Sequence, residues 1–378
     1  MSGILSNINI LADTTTTITN IGHVATIISL IIATVLPLII VAYAGMVSEH
    51  SGVINLSLEG LMIFGAMAGF LVLRSFCPIS DTGRVTLDEC LINPILAAFI
   101  AGLVAGLVGL VGSLLLAFAS INLKANQTLI GTAINVLAAA LAIAVIHKLT
   151  GVNGELGIDT KINAPDWLRI TAKNFGSETQ YYSIQQFENP TFWQYTGYFF
   201  SVMFFSNLYL SNFVIVILIV VTAVFLKKTK LGLRLIACGE NPQACDSVGI
   251  SVTKIRYTGT LISGFLGGIG GFAFVSMLNI FDANSGVLGF GFLALAVMIF
   301  GNWKPGVIVG AGFIFATFRV LAQYPWLQGI MFPNSQFAGL NDLFQMIPYI
   351  LTLVILVLAS KNNNCPKAEG IPYEKGAR

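Results

Sequence analysis

Charge is scarce in this sequence. Only 10% of its 378 residues are Asp, Glu, Lys or Arg, where a soluble domain carries about 25%. Hydrophobic residues make up 56%, and the mean hydropathy is +0.83. An ordinary soluble domain is excluded. The net charge of +2 gives no footprint for nucleic acid, because the basic residues sit between apolar runs. A G-x-x-x-x-G-K-[ST] string is missing, so the chain binds no ATP through a P-loop. The three histidines, His23, His50 and His147, are scattered and form no H-E-x-x-H. No catalytic triad is visible, and no metal or cofactor is implied. None of the five cysteines belongs to a C-x-x-C pair. Cys77 and Cys90 flank a short loop, either bridged in an oxidising space or left as two thiols. No Lys or Arg precedes Arg74, so no cleavable signal peptide is expected.

Long apolar runs are plentiful. Candidate spans lie near 24–44, 53–73, 94–120, 127–147, 208–226, 257–279, 288–302, 305–323 and 343–360. Several approach the ~20 residues that a bilayer-crossing helix needs. Each is expected to be a helix, because unpaired backbone cannot face lipid. The expected fold is an all-α membrane protein, a polytopic bundle of about 8–10 helices with at least one broken or re-entrant segment. Glycines stripe the third span at Gly102, Gly106, Gly109 and Gly112, and recur four apart in the second (Gly65, Gly69) and sixth (Gly264, Gly268; Gly267, Gly271). Such faces let helices pack closely in lipid.

Residues 227–256 form the long basic segment of the second half, with Lys227, Lys228, Lys230, Arg234, Lys254 and Arg256. By the positive-inside rule this loop and the tail, 361–378, lie in the cytoplasm. Residues 148–207 then form a long external loop rich in aromatics, including Phe187, Phe192, Trp193 and Tyr195. It is either a landing surface for an external carrier or a covering insertion. Within 227–256, Asn241 is a good N-cap, Pro242 suits the first helical position, and Gly249 can end the helix. A helix so short is marginal alone and must dock on something.

Three further stretches carry polar groups in apolar surroundings. Ser48 to Gly60 reads SEHSGVINLSLEG, with Glu49, Asn55, Ser57 and Glu59. Gly45 and Gly52 permit a helix break there, and Asn55 and Glu59, four apart, would share a helix face. Leu123 to Asn135 holds Asn126, Gln127, Thr128 and Asn135. Gly289 to Pro305 reads GFGFLALAVMIFGNWKP. Ionisable groups at membrane depth face a cavity or pair with each other.

These stretches resemble, in order, segments of ABC-importer permeases of the ribose and nucleoside branch. The run LGLRLIACGENPQACDSVGI is similar to that family's cytoplasmic loop. The resemblance implies that Arg234, Gly239, Glu240, Asn241, Pro242, Cys245 and Gly249 contact a separate ATP-hydrolysing subunit. Cys245 stands where a small residue is usual, His50 where Arg is usual, and Phe290 where Arg is usual. Glu49, Asn55, Ser57, Glu59, Asn126, Gln127, Asn135 and Phe290 become candidates for the substrate pathway. The implied partners are the ATPase, a second permease subunit and an external substrate-binding protein or lipoprotein, in a bacterial inner membrane. The implied cargo is a nucleoside or a simple sugar, moved by alternating access. An ion-gradient-driven secondary transporter or channel, coupled through Glu49 and Glu59, is the alternative.

Overall fold

A computed structural model of the chain describes residues 2–77, 84–86, 90–150, 155–159, 192–205, 210–278, 280–282, 287, 289–323, 346, 350, 354 and 364–374. The helices are α1 (Ser2–His50), α2 (Leu58–Phe76), α3 (Pro94–Ala117), α4 (Gln127–Thr150), α5 (Phe192–Phe205), α6 (Leu210–Lys228), α7 (Lys230–Glu240), α8 (Pro242–Ser247), α9 (Val252–Leu278), α10 (Phe290–Phe300) and α11 (Pro305–Gln323). Six stretches are long and apolar enough to cross a membrane: Ile21–His50, Leu58–Phe76, Ile95–Asn122, Gln127–Lys148, Val252–Leu278 and Pro305–Ala322. The protein is an all-α polytopic membrane protein.

The chain divides into two compact units. One comprises Met1–Ala33, Lys161–Tyr209 and Thr317–Ile347; the other comprises Thr34–Thr160, Leu210–Ala316 and Pro348–Arg378. In the first, the Tyr198 hydroxyl of α5 lies over Gly22 of α1. The second holds every polar cluster considered below. Its centre is a tight packing of α2, α3 and α9. A β-carbon on Gly65 would run into the backbone of Gly268, and one on Gly109 into that of Gly264. Here helix backbones touch with no side chain between them, the close approach that small residues permit in lipid.

Several boundaries depart from the sequence reading. The run 288–302 is no full crossing: α10 has 11 residues, about 16 Å of helix at ~1.5 Å per residue, roughly half a bilayer core. It is a half-helix. Gly45 does not break α1, which continues to His50. The break comes at residues 51–57, where Gly52 has φ +90°. Three short strands, β1 (Arg84–Thr86), β2 (Glu155–Asp159) and β3 (Ile280–Asp282), were not foreseen. β1 pairs parallel with β2, Val85 opposite Ile158, and β2 antiparallel with β3, Leu156 opposite Phe281. Phe281 is fully buried against Phe70 of α2. Cys77 and Cys90 are joined by a disulfide. The run 343–360 and most of 148–191 fall outside the described residues.

Candidate pathway and coupling site

The segment 48–60 is the hub of the larger unit. Its chain turns at once after α1. Ser48 and Ser51 hydroxyls donate to the carbonyls of Val53 and Ser48, at 2.8 and 2.6 Å. Neighbouring elements then satisfy its backbone. The Gln127 side-chain oxygen, on the first residue of α4, accepts from Ile54 N–H at 2.7 Å. One turn pair further along α4, Asn135 accepts from Gly60 N–H at 2.8 Å and donates to the Leu56 carbonyl at 2.9 Å. Asn126 caps α4, accepting from Thr128 N–H at 3.0 Å. Non-helical backbone at membrane depth is tolerated only where such partners exist.

Asn55 is fully buried. It donates to the Ser263 hydroxyl of α9 at 2.8 Å and accepts from the Ser57 hydroxyl at 2.6 Å. Because α2 begins only at Leu58, Asn55 and Glu59 do not share a helix face; the expected i,i+4 pair is absent. Glu59 instead crosses to the half-helix. Its two carboxylate oxygens accept from Gly289 N–H at 2.9 Å and Gly291 N–H at 2.7 Å. An acidic group at the first turn of a helix meets unpaired N–H groups and the positive end of the dipole. The two glycines make this possible. Gly289 sits at φ +71°, and a β-carbon on Gly291 would lie 2.8 Å from a Glu59 oxygen. Phe290 between them is fully buried and stacks on Phe274 of α9 at 3.9 Å.

Glu49 closes α1 near a second unusual turn. Asn302 and Trp303, between α10 and α11, both adopt positive φ, 54° and 55°. That turn presents the Trp303 indole N–H to Glu49, 2.6 Å away, and the Trp303 carbonyl to the His50 ring, 3.2 Å away. A buried indole needs such an acceptor. Glu49, Trp303 and Glu240 line a cavity of about 790 Å³, together with residues of the C-terminal segment 364–369. Of the residues singled out from sequence, only Glu49 and Glu240 reach this cavity. Asn55, Ser57, Glu59, Asn126, Gln127, Asn135 and Phe290 brace its walls.

The basic stretch 227–256 is helical for most of its length. Thr229 caps α7, accepting from Gly232 N–H at 3.1 Å. Asn241 ends α7 and caps α8, accepting from Ala244 N–H at 3.0 Å, with Pro242 in the first turn. Gly249 takes φ +82° just beyond. Gly239 is buried with no room for a side chain, since a β-carbon would strike the His50 carbonyl. The pair therefore seats directly on the end of α1. Arg234, Glu240, Asn241 and Gly249 are exposed, and Val248 is 73% exposed. Cys245 points inward to Cys238. Burial first, and the hydrogen bond with Cys245 next, push the Cys238 thiol up to about 12. Such a thiol is inert at physiological pH.

Two features escaped the sequence reading. Arg256 was counted among loop charges, yet it lies in α9 at 1% exposure; the apolar Val252 and Ile255 just before it were the available signal. The segment 364–374 was read as a plain tail, but it is held against this site. Its Glu369 hydrogen-bonds Glu49, and burial lifts the Glu369 carboxyl from 4.5 to about 7, the hydrogen bond pulling the other way. A carboxyl raised in the docked segment and ordinary in a released one favours docking while it stays protonated. Docking should weaken as pH rises from about 4.5 to about 7 and level off above. Protection of the hydrogen-bonded Ala368 and Gly370 amides against exchange should fall over that window. Glu369→Gln should flatten the profile; an unchanged slope in that variant would remove Glu369 as its source.

A bundle of apolar helices built around a half-helix, with a capped helix pair seated on one end, defines a membrane transport protein. Residues 27–356 match the family described as branched-chain amino acid transport system / permease component, and the chain belongs to that family. It is 33% identical over 348 residues to the guanosine ABC transporter permease protein NupQ of Bacillus subtilis (strain 168), covering 90% of this chain and 94% of the relative. Over 348 residues it is 30% identical to the nucleoside ABC transporter permease protein NupC of Lactococcus lactis subsp. cremoris (strain MG1363), covering 90% and 93%. It is 33% identical over 106 residues to NupB, a nucleoside ABC transporter permease protein of the same organism, covering 28% and 29%. No solved structure matches the chain.

Proposed function

We propose that this permease moves nucleosides inward across a bacterial inner membrane, driven by a separate ATPase that docks on α7 and α8. The observation that carries the reading is near-full-length similarity to two permeases named for guanosine and nucleoside transport. Substrate arrives on an external binding protein or lipoprotein. The occurrence of NupB beside NupC in one organism supports a second, homologous permease subunit. The cavity at Glu49, Glu240 and Trp303 is the inner end of the path. At about 790 Å³ it falls within the roughly 300–1,000 Å³ of small-molecule sites. Its carboxyls can accept from ribose hydroxyls. The ion-gradient alternative needs Glu59 as a proton carrier, but Glu59 commits both oxygens to the first turn of α10.

The reading is tested by assembling the chain with its ATPase, partner permease and binding protein in proteoliposomes. Labelled guanosine should enter with ATP and be displaced by other nucleosides but not by glucose. Uptake of glucose alone would overturn the substrate class, and uptake without ATP the energy source.

The helix pair offers a second test. Losing an N-cap costs about 1 kcal/mol, a large share of what a helix as short as α8 gains locally. Asn241→Ala combined with Pro242→Gly should leave membrane yield normal, because no span is touched. Stimulation of ATP hydrolysis by loaded binding protein should be lost, and uptake with it. Full stimulation in the inserted variant would mean that α8 does not transmit the stroke.

A further inference from the structure

The C-terminal segment is tied to four separate parts of the larger unit, mostly through its backbone. Asn364 N–H donates to the Asn302 side chain at 2.7 Å. Ala368 N–H donates to the Gly239 carbonyl at 2.8 Å, and Gly370 N–H to the Gly52 carbonyl at 3.2 Å. The Ile371 carbonyl accepts from the Arg256 guanidinium at 2.8 Å. The partners lie on the turn after α10, at the end of α7, on the break after α1 and near the start of α9. Pro366 and Ala368 are buried. Gly52 matters twice here. Its φ of +90° excludes most side chains, and a β-carbon would sit 3.0 Å from the Arg256 guanidinium and 3.3 Å from the Ala368 carbonyl.

Arg256 supplies the independent sign. A guanidinium at 1% exposure is costly unless paired. Its Nε and Nη2 have no hydrogen-bond partner, so its recorded hydrogen bond is the one to the segment. A cation this deeply placed with spare donors belongs to a site whose occupant comes and goes. The segment also walls the cavity above Glu49 and Trp303, so with it in place the inner end of the path is shut.

We propose that residues 364–374 are a plug for the inner mouth of the pathway, drawn aside at each transport cycle by the same movement that drives the coupling helices. The link is the Gly239 carbonyl, two residues before α8. A helix end leaves its last carbonyls without helical partners, and here Ala368 N–H fills one. Displacing α7 and α8 must therefore break or drag that bond. Lys124 and Glu374, paired at 2.6 Å with both side chains largely exposed, mark the outer edge of the plug. Such a pair fixes position weakly, which suits a segment that must leave.

This rests on the permease reading, and the test separates the two. Asn302→Cys and Asn364→Cys are combined with Cys365→Ser in the full complex. The 2.7 Å contact between these residues puts the new thiols within disulfide reach, and mass spectrometry scores the bridge. Under reductant the variant should take up guanosine as the parent does, which keeps the permease reading intact whatever follows. On oxidation uptake should be lost, and dithiothreitol should restore it. A bridged complex that still transports at the reduced rate would overturn the plug. The second arm ends the chain after Asn363. Without the plug, the complex should hydrolyse ATP in the absence of binding protein at a rate well above the full-length one. Hydrolysis by the inserted, truncated complex that stays as dependent on binding protein as before would equally overturn it.

Discussion

Glu59→Leu should reach the membrane, melt well below the parent and transport nothing measurable. The carboxylate is 9% exposed and its oxygens accept from Gly289 and Gly291 N–H. Leucine leaves both donors at the start of α10 without partners. A buried polar group left unsatisfied costs about 1–3 kcal/mol, so the pair amounts to several kcal/mol of a protein's marginal stability. The damage is directional as well. Glu59 ties α2 to the half-helix, so the spans persist while α10 loses its anchor. Glu59→Gln keeps one acceptor oxygen and most of the shape, and should fall between. The measurements are thermal unfolding in detergent and guanosine uptake in proteoliposomes. A leucine variant with the melting point and uptake of the parent would show that α10 is held by something else.

Gly65→Leu should largely abolish recovery of folded protein. At this crossing α2 meets the α9 backbone at Gly268, with no room for even a β-carbon. Adding a side chain to a filled interior costs about 1–3 kcal/mol when neighbours can rotate away. Here the neighbour is backbone, so the helices must separate, and the cost reaches or exceeds that upper end. Gly267 is the matched control. A β-carbon there lies 3.6 Å from the nearest atom, on Leu61, an ordinary contact. Gly267→Ala should therefore express and melt like the parent. Folded yield and melting temperature decide the comparison; equal values for Gly65→Leu and Gly267→Ala would exclude a backbone-tight crossing.

The sequence made some of this legible because local rules coincide with the structure. Asn241 and Pro242 sit at the head of α8 as their capping chemistry requires. The spaced glycines Gly65, Gly109, Gly264 and Gly268 meet across helices as small-residue faces should. The failures share a physical cause. Glu59 looked like a pathway carboxylate because an ionisable group in an apolar stretch signals a cavity or a partner, and its partners are backbone N–H groups 230 and 232 residues away. Backbone donors leave no mark in composition. The half-length of α10 was hidden because Gly289 and Gly301 bound it while the apolar run reads straight through. The docking of 364–374 was invisible because its main ties are backbone hydrogen bonds, to which any residue type contributes alike.

The Trp303 indole gives the chain an optical reporter of its own. The sequence contains four tryptophans, and this one is 6% exposed, with its N–H on the Glu49 carboxylate. It forms the cavity floor that the C-terminal segment covers. With Trp167, Trp193 and Trp326 replaced by phenylalanine, emission from the one remaining indole follows water entry at the inner mouth. Opening and closing can then be timed in the working complex without attaching a dye.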